Sequence, residues 1–208
     1  MSTNAHADTK LDTAPDTGNS IFRPAIVLFA GLTLVVGVIY PYAMTGLGKV
    51  IFNDQAEGSL IVKDGKTVGS SLIGQSFSSA KYFWGRPSAT GPMPNNAGAS
   101  SGSNFGPTNV AQVDAIKGRV EALKAADPGN TAKIPVDLVT ASASGLDPDI
   151  SLAAANYQLA RVARERKLQE SQVKAIIDQL AQHPALGLLG EARVNVLALN
   201  LALDKLTK

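Results

Sequence analysis

Between Pro24 and Gly48 the chain carries no Asp, Glu, Lys, Arg or His; Tyr40 and Tyr42 are its only titratable side chains. A helix of that length extends about 37 Å at 1.5 Å per residue, more than the roughly 30 Å hydrocarbon core of a bilayer. The segment is apolar all round, with runs at 26–29, 32–36 and 38–40, and so lacks the polar stripe of a surface helix. Pro24 suits a first helical turn, and Pro41 is expected to kink the helix or end it one turn early. Tyr40 and Tyr42 fall where an interfacial aromatic belt would lie. A buried core helix rarely stays uncharged for so long. A cleaved signal peptide has a shorter apolar region followed by a small-x-small site. The reading that fits is an uncleaved single-span anchor at 24–46, after a polar tail at 1–23 and before a body at 49–208.

Charge divides the chain in the same places. The tail has Lys10 and Arg23 against Asp8, Asp12 and Asp16, a net of −1, and the body has 17 basic and 14 acidic side chains, a net of +3. That charge is too small and too scattered for a nucleic-acid footprint. Lys49, Lys63 and Lys66 after the span outnumber Lys10 and Arg23 before it, a bias that leans away from a cytoplasmic N-terminus. A long folded domain translocates largely regardless of charge, so the side is left open. Residues 1–20 show no apolar periodicity and read as a disordered tail.

The body begins with two β-type runs, 59–63 and 66–68, around Asp64-Gly65. That pair predicts a type I′ hairpin, whose two central residues need positive φ, and 71–75 extends the second strand. Phe77, Tyr82, Phe83 and Trp84 follow, and the expectation is core packing under the hairpin rather than a ligand cage. From Gly85 to Asn109, 19 of 25 residues are Gly, Pro, Ser, Thr or Asn, and Arg86 is the one charge. A stretch this long without periodicity inside a compact domain is functional or disordered.

A helix is expected from about Val110, with Val113, Ile116, Val120 and Leu123 on one face, Asn109 as its cap with Gln112 three residues on, and Asp127-Pro128-Gly129 as its stop. Residues 134–140 read as a short strand. Ser151 caps a helix to about Lys167, another spans 171–182 and ends before Pro184, 194–196 is a strand, and 197–206 a closing helix. This order describes an α+β domain.

Signals for chemistry are sparse. Zero cysteines exclude disulfides, thiolate ligands and a Cys nucleophile. His6 and His183 are too far apart for a multi-histidine metal site. Gly98-Ala99-Ser100-Ser101-Gly102 spells G-x-S-x-G but neither follows a strand nor opens a helix. No P-loop or dinucleotide fingerprint occurs, and Asp147-Pro148-Asp149, with Asp137, reads as turn and cap chemistry rather than a cation site. No catalytic or metal residue is assigned, and a cofactor site is left unknown.

Five ordered segments resemble the KdpC family, the C subunit of the bacterial Kdp potassium-transporting ATPase. They are 69–75, Tyr82-Phe83-Trp84-Gly85-Arg86-Pro87-Ser88-Ala89, Ser101-Gly102-Ser103-Asn104-Phe105-Gly106-Pro107-Thr108-Asn109, 136–148 and 190–197. The resemblance covers the chain from about residue 24 to 203. Asp149 stands where His is expected, Ala192 where Pro is usual and Ser144 where Gly is common; the stretch after His183 is shortened, and the N-terminal tail has no counterpart.

The resemblance implies a single-pass subunit of the bacterial inner membrane with its C-terminal domain periplasmic, in lipid, beside a potassium channel-like subunit, a P-type ATPase subunit and a small membrane peptide. ATP and potassium would be handled by the complex, with no cofactor assigned to this chain. Its role would be non-catalytic, assembling and stabilising the channel-like and ATPase subunits. The alternative is a catalytic chaperone that raises the ATP affinity of the ATPase subunit, for which direct ATP binding needs a cytoplasmic body. Arg86, Pro87, Ser88, Asn104, Gly106, Pro107, Thr108 and Asn109 are the candidate docking residues, with Arg86 and Asn104 equally able to tie the loop to its own domain.

Overall fold

The computed structural model describes residues 21–184, 187 and 189–206. Those up to Asn53 form one compact unit and those from Asp54 a second.

The first unit is a single helix, α1 (Phe22–Ile51), long and apolar enough to cross a membrane, with none of its residues buried. It outruns the uncharged segment at both ends. Pro41 does not end it. The helix instead widens into a π turn at Val35–Ile39, where the Tyr40 N–H donates to the Val35 carbonyl. Such a turn accommodates the N–H that proline lacks and the bulk of its ring.

In the second unit, β1 (Leu60–Lys63) and β2 (Lys66–Ser70) form the expected antiparallel hairpin. Asp64 and Gly65 both take positive φ, 51° and 73°, as a type I′ turn requires. The second strand stops at Ser70 rather than continuing through 75; the chain turns there, with the Ile73 N–H on the Ser70 carbonyl.

After a long irregular stretch, α2 (Val110–Ala126) starts at Asn109, whose side chain accepts from the Ala111 N–H, and ends at Asp127. Residues 134–140 are not a strand. Val136–Leu138 is a 3₁₀ turn, and the Val136 carbonyl accepts from both Val139 and Thr140, so it has nothing left for a ladder. The strand comes later, as β3 (Asp149–Ser151), paired antiparallel with β4 (Arg193–Asn195). Ser151 caps α3 (Leu152–Arg166) through the Ala154 N–H. A capping box between Gln169 and Gln172 opens α4 (Glu170–Leu180), and β4 runs directly into α5 (Val196–Leu206).

Helices α3, α4 and α5 supply most of the core, with Ala154, Val162, Val173, Ile177, Leu199 and Leu203 fully or almost fully buried. The β3–β4 ribbon adds Ile150 and Val194, and the aromatic segment adds Phe83. Phe83 is core and Phe77 and Trp84 pack against it, but the side chains that hold the Phe83 and Trp84 backbone lie on α3 and α5 rather than on the hairpin. Asn200 accepts from the Phe83 N–H at 2.8 Å and donates to its carbonyl at 3.0 Å. Gln158 treats Trp84 the same way, at 2.8 and 3.1 Å. Arg161, 2% exposed, donates to the Ala80 and Tyr82 carbonyls and to Gln158, and lies 4.7 Å from the Trp84 ring. Burial draws its pKa below the ordinary guanidinium value.

Replacing Asn200 by Leu, of similar size, leaves the Phe83 N–H and C=O buried and unpaired. The expected loss is about 2–4 kcal/mol, read as a lower urea midpoint with the full chain in detergent. A loss below about 0.5 kcal/mol, ordinary for surface changes, would contradict this role.

Candidate partner-docking surface

The Gly/Pro-rich stretch leaves the core at Trp84 already fixed by Gln158, and its first part stays fixed. Arg86 donates through Nη1 to Asp147 Oδ2 at 3.1 Å and through Nη2 to the Ala141 carbonyl at 3.3 Å. Both members of this ion pair are about a quarter exposed, at 25% and 27%. Ser88 Oγ donates to the Gly145 carbonyl at 2.6 Å and accepts from the Asn95 N–H at 2.9 Å. Thr90 Oγ1 accepts from the Asn96 N–H and donates to the Met93 carbonyl. Pro87 lies between these anchors, half-buried.

The facing segment 141–147 is shaped to receive this stretch. Gly145 has φ +66°, and a Cβ there would lie 2.6 Å from the Ser101 carbonyl oxygen. The Ser144 carbonyl takes the Ser101 N–H and the Ser100 hydroxyl. Asp147 accepts from the Asp149 N–H, an Asx turn as the sequence suggests.

Beyond Gly102 the ties end. Ser103, Asn104, Phe105, Gly106, Pro107, Thr108 and Asn109 are all exposed. Their hydrogen bonds run only among themselves and to the first turn of α2. Asn104 takes a positive φ of 52°, and its side chain bonds to nothing among the described residues. The helix continues the exposed run: Val110 is 72% and Val113 38% exposed, and only from Ile116 does α2 pack on the core. The expected apolar face thus begins a turn later than its sequence pattern suggests.

The eight candidate residues therefore fall into two groups. Arg86, Pro87 and Ser88 sit within the domain's own bonding. Asn104, Gly106, Pro107, Thr108 and Asn109 form one exposed rim, along which Phe105, 45% exposed, supplies an aromatic surface.

Two residues that sequence reasoning passed over lie beside that rim. A recess of about 150 Å³ is lined by Asn104, Phe105, Gln112, Ile116, Arg119 and Thr140, among others. Gln112 forms no capping box with Asn109; its Oε1 is buried without a hydrogen-bond partner. Arg119 donates Nη1 to the Val139 carbonyl at 2.8 Å and pairs with no carboxylate among the described residues. Burial lowers its pKa from the ordinary guanidinium value. It also borders a second cleft, of about 280 Å³, with Trp84, Arg86 and Ser88. The available signal was spacing: Gln112, Ile116 and Arg119 at i, i+4 and i+7 share one helix face.

Asp137, Asp147 and Asp149 line another cleft with Arg86 and Arg193. They are used structurally: Asp137 accepts from the Ser151 N–H, and Asp149 pairs with Arg193 at 2.9 Å. Burial raises the Asp149 pKa above the usual carboxylate range, against the pull of Arg193 and with a push from Asp147. Among the described residues, no group of three or more His, Asp or Glu side chains is arranged to hold a metal ion.

A helix long and apolar enough to cross a membrane, followed by an α+β domain, defines a class: a single-helix membrane protein with one folded domain. The comparisons specify it. Residues 22–205 match the family model described as KdpC, K+-transporting ATPase, c chain. The chain is 69% identical over 186 residues to the potassium-transporting ATPase KdpC subunit of Janthinobacterium sp. (strain Marseille), covering 89% of this chain and 98% of that one. It is 68% identical over 186 residues to the subunit of Herminiimonas arsenicoxydans, with the same coverage. It is 63% identical over 189 residues to that of Dechloromonas aromatica (strain RCB), covering 91% and 99%. The chain belongs to the KdpC family of potassium-transporting ATPase subunits.

The two groups of loop residues should separate in thermal melts of the full chain. Arg86→Ala removes an ion pair and a carbonyl bond and costs about 1–2 kcal/mol. Asn104→Ala changes stability by less than about 0.5 kcal/mol, as for other surface sites. The opposite ranking would mean that the loop is anchored through its second half.

Proposed function

We propose that this chain is a non-catalytic accessory subunit that assembles and stabilises a potassium-transporting ATPase complex. Its helix spans the inner membrane, and its domain stands on the periplasmic side, docked on a channel-like subunit. The partners are that subunit, the P-type ATPase subunit and the small membrane peptide of the complex.

The observation that carries this reading is the division of the Gly/Pro-rich loop. Ordering a residue costs about 1–2 kcal/mol of backbone entropy. Here residues 85–96 are ordered by the domain itself, through Arg86, Ser88 and Thr90. The rim at 103–109 is thus held by its two ends, with its residues exposed. A rim pre-ordered in this way binds with a smaller entropy loss than a free loop would. The exposed α1 has the complementary need, since an apolar helix with no buried residue requires lipid or neighbouring helices to cover it.

Topology tests the proposal and separates it from the nucleotide-helper alternative, because a domain on the periplasmic side cannot reach cytoplasmic ATP. In spheroplasts of cells expressing Ser2→Cys or Lys133→Cys, an impermeant thiol reagent should label position 133 in intact spheroplasts and position 2 only after lysis. Labelling of position 2 but not 133 before lysis would overturn the orientation and with it the docking on an outer face.

A further inference from the structure

We propose that the recess beside the first turns of α2 receives an acidic side chain from a loop of a partner subunit, with Arg119 as its counter-ion. The inference rests on the docking reading and adds the chemistry of the contact.

Two observations converge on an acidic side chain. The Arg119 guanidinium has five N–H donors, and its one hydrogen bond among the described residues goes to a neutral acceptor, the Val139 carbonyl. It is the cation of the recess, and the other lining residues named above are neutral. A cationic occupant would be repelled, and a neutral one would cover the guanidinium without compensating its charge, which is costly.

Second, the recess holds about 150 Å³, roughly half the lower bound of about 300 Å³ for small-molecule pockets. One side chain suits it; a nucleotide does not. Beside it, Gln112 Oε1 is buried and has no donor among the described residues, so it calls for an N–H of the incoming loop rather than for a second acid. A carboxylate on Arg119 leaves that oxygen free for a backbone N–H of the same incoming loop, so one turn of partner chain satisfies both groups. An isolated anion would satisfy only the first.

The surroundings suit a protein contact. Phe105, which lines the recess, is an exposed aromatic, and Val110 and Val113 are exposed apolar side chains on the first turns of α2. Arginine and aromatic side chains are enriched among interface hot spots. The body's net charge of +3 favours approach by an acidic loop.

The test is co-purification of the tagged full-length chain with the rest of its complex from detergent-solubilised membranes, at low and high salt. Arg119→Gln and Arg119→Glu should reduce recovery of the partners by about tenfold or more, and Arg119→Lys by less. Recovery with the unmodified chain should fall as salt rises, and recovery with Arg119→Gln should lose that dependence. Thermal melts of the same variants check the Val139 bond: a small, similar drop is expected for Gln and Lys, so stability does not account for their different recovery. If the unmodified chain recovers partners and Arg119→Gln does so equally, with the same salt dependence, the acidic contact is overturned and docking stands. If the unmodified chain recovers no partner, the docking reading itself has failed. A loss of recovery that follows melting temperature across all three variants would make Arg119 a purely structural residue and also overturns the proposal.

Discussion

The path of residues 80–84, and of the loop that follows them, depends on three polar side chains that act as a substitute β-strand. Gln158 and Arg161 on α3, with Asn200 on α5, supply the backbone of residues 80–84 with the donors and acceptors that a neighbouring strand would otherwise provide. The amide side chains are suited to this, since each offers an acceptor and a donor side by side and can match both groups of one residue. All three are buried, so their bonds are strong and the cost of breaking them is high. Arg161 gains further from the Trp84 face. With this segment fixed, the chain leaves the core at a defined place and direction, and Arg86 meets Asp147 within two residues of the last clasp.

That start determines how the Gly/Pro-rich loop is spent. Its first half closes onto segment 141–147 through side-chain hydroxyls and one ion pair, and close approach there demands Gly145. Beyond Gly102 the loop returns to the domain, among the described residues, only by becoming the first turn of α2. The rim and the first turn of that helix therefore stand out from the core, and the exposed Phe105 and Val110 follow from that geometry.

The sequence made the local parts legible because local chemistry forms them. Asp64-Gly65 supplied positive φ twice, and Asn109 and Ser151 capped their helices with their own side chains. Where competing local bonds decided, reading failed: residues 134–140 have strand-like composition, yet turn bonds onto the Val136 carbonyl prevail. The three-residue β3 was missed because it is too short to show alternation and is defined only by its pairing with β4, more than 40 residues away. Pro41 reads as a kink or an early end because a wider turn is not visible in composition. For the candidate surface, the loop itself was found, but not its division. The partners of Arg86 and Ser88 lie 55 to 61 residues away, and those of Phe83 and Trp84 74 to 117. No spacing rule reaches so far.

The central claim is that one half of this loop belongs to the domain and the other to a partner. Amide hydrogen exchange tests it most directly, comparing the full chain alone in detergent with the same chain in its assembled complex. Residues 103–109 should exchange fast in the free chain and become protected on assembly, with 85–96 slow in both states. Equal, fast exchange at 103–109 in both states, or protection gained at 85–96 instead, would contradict the account.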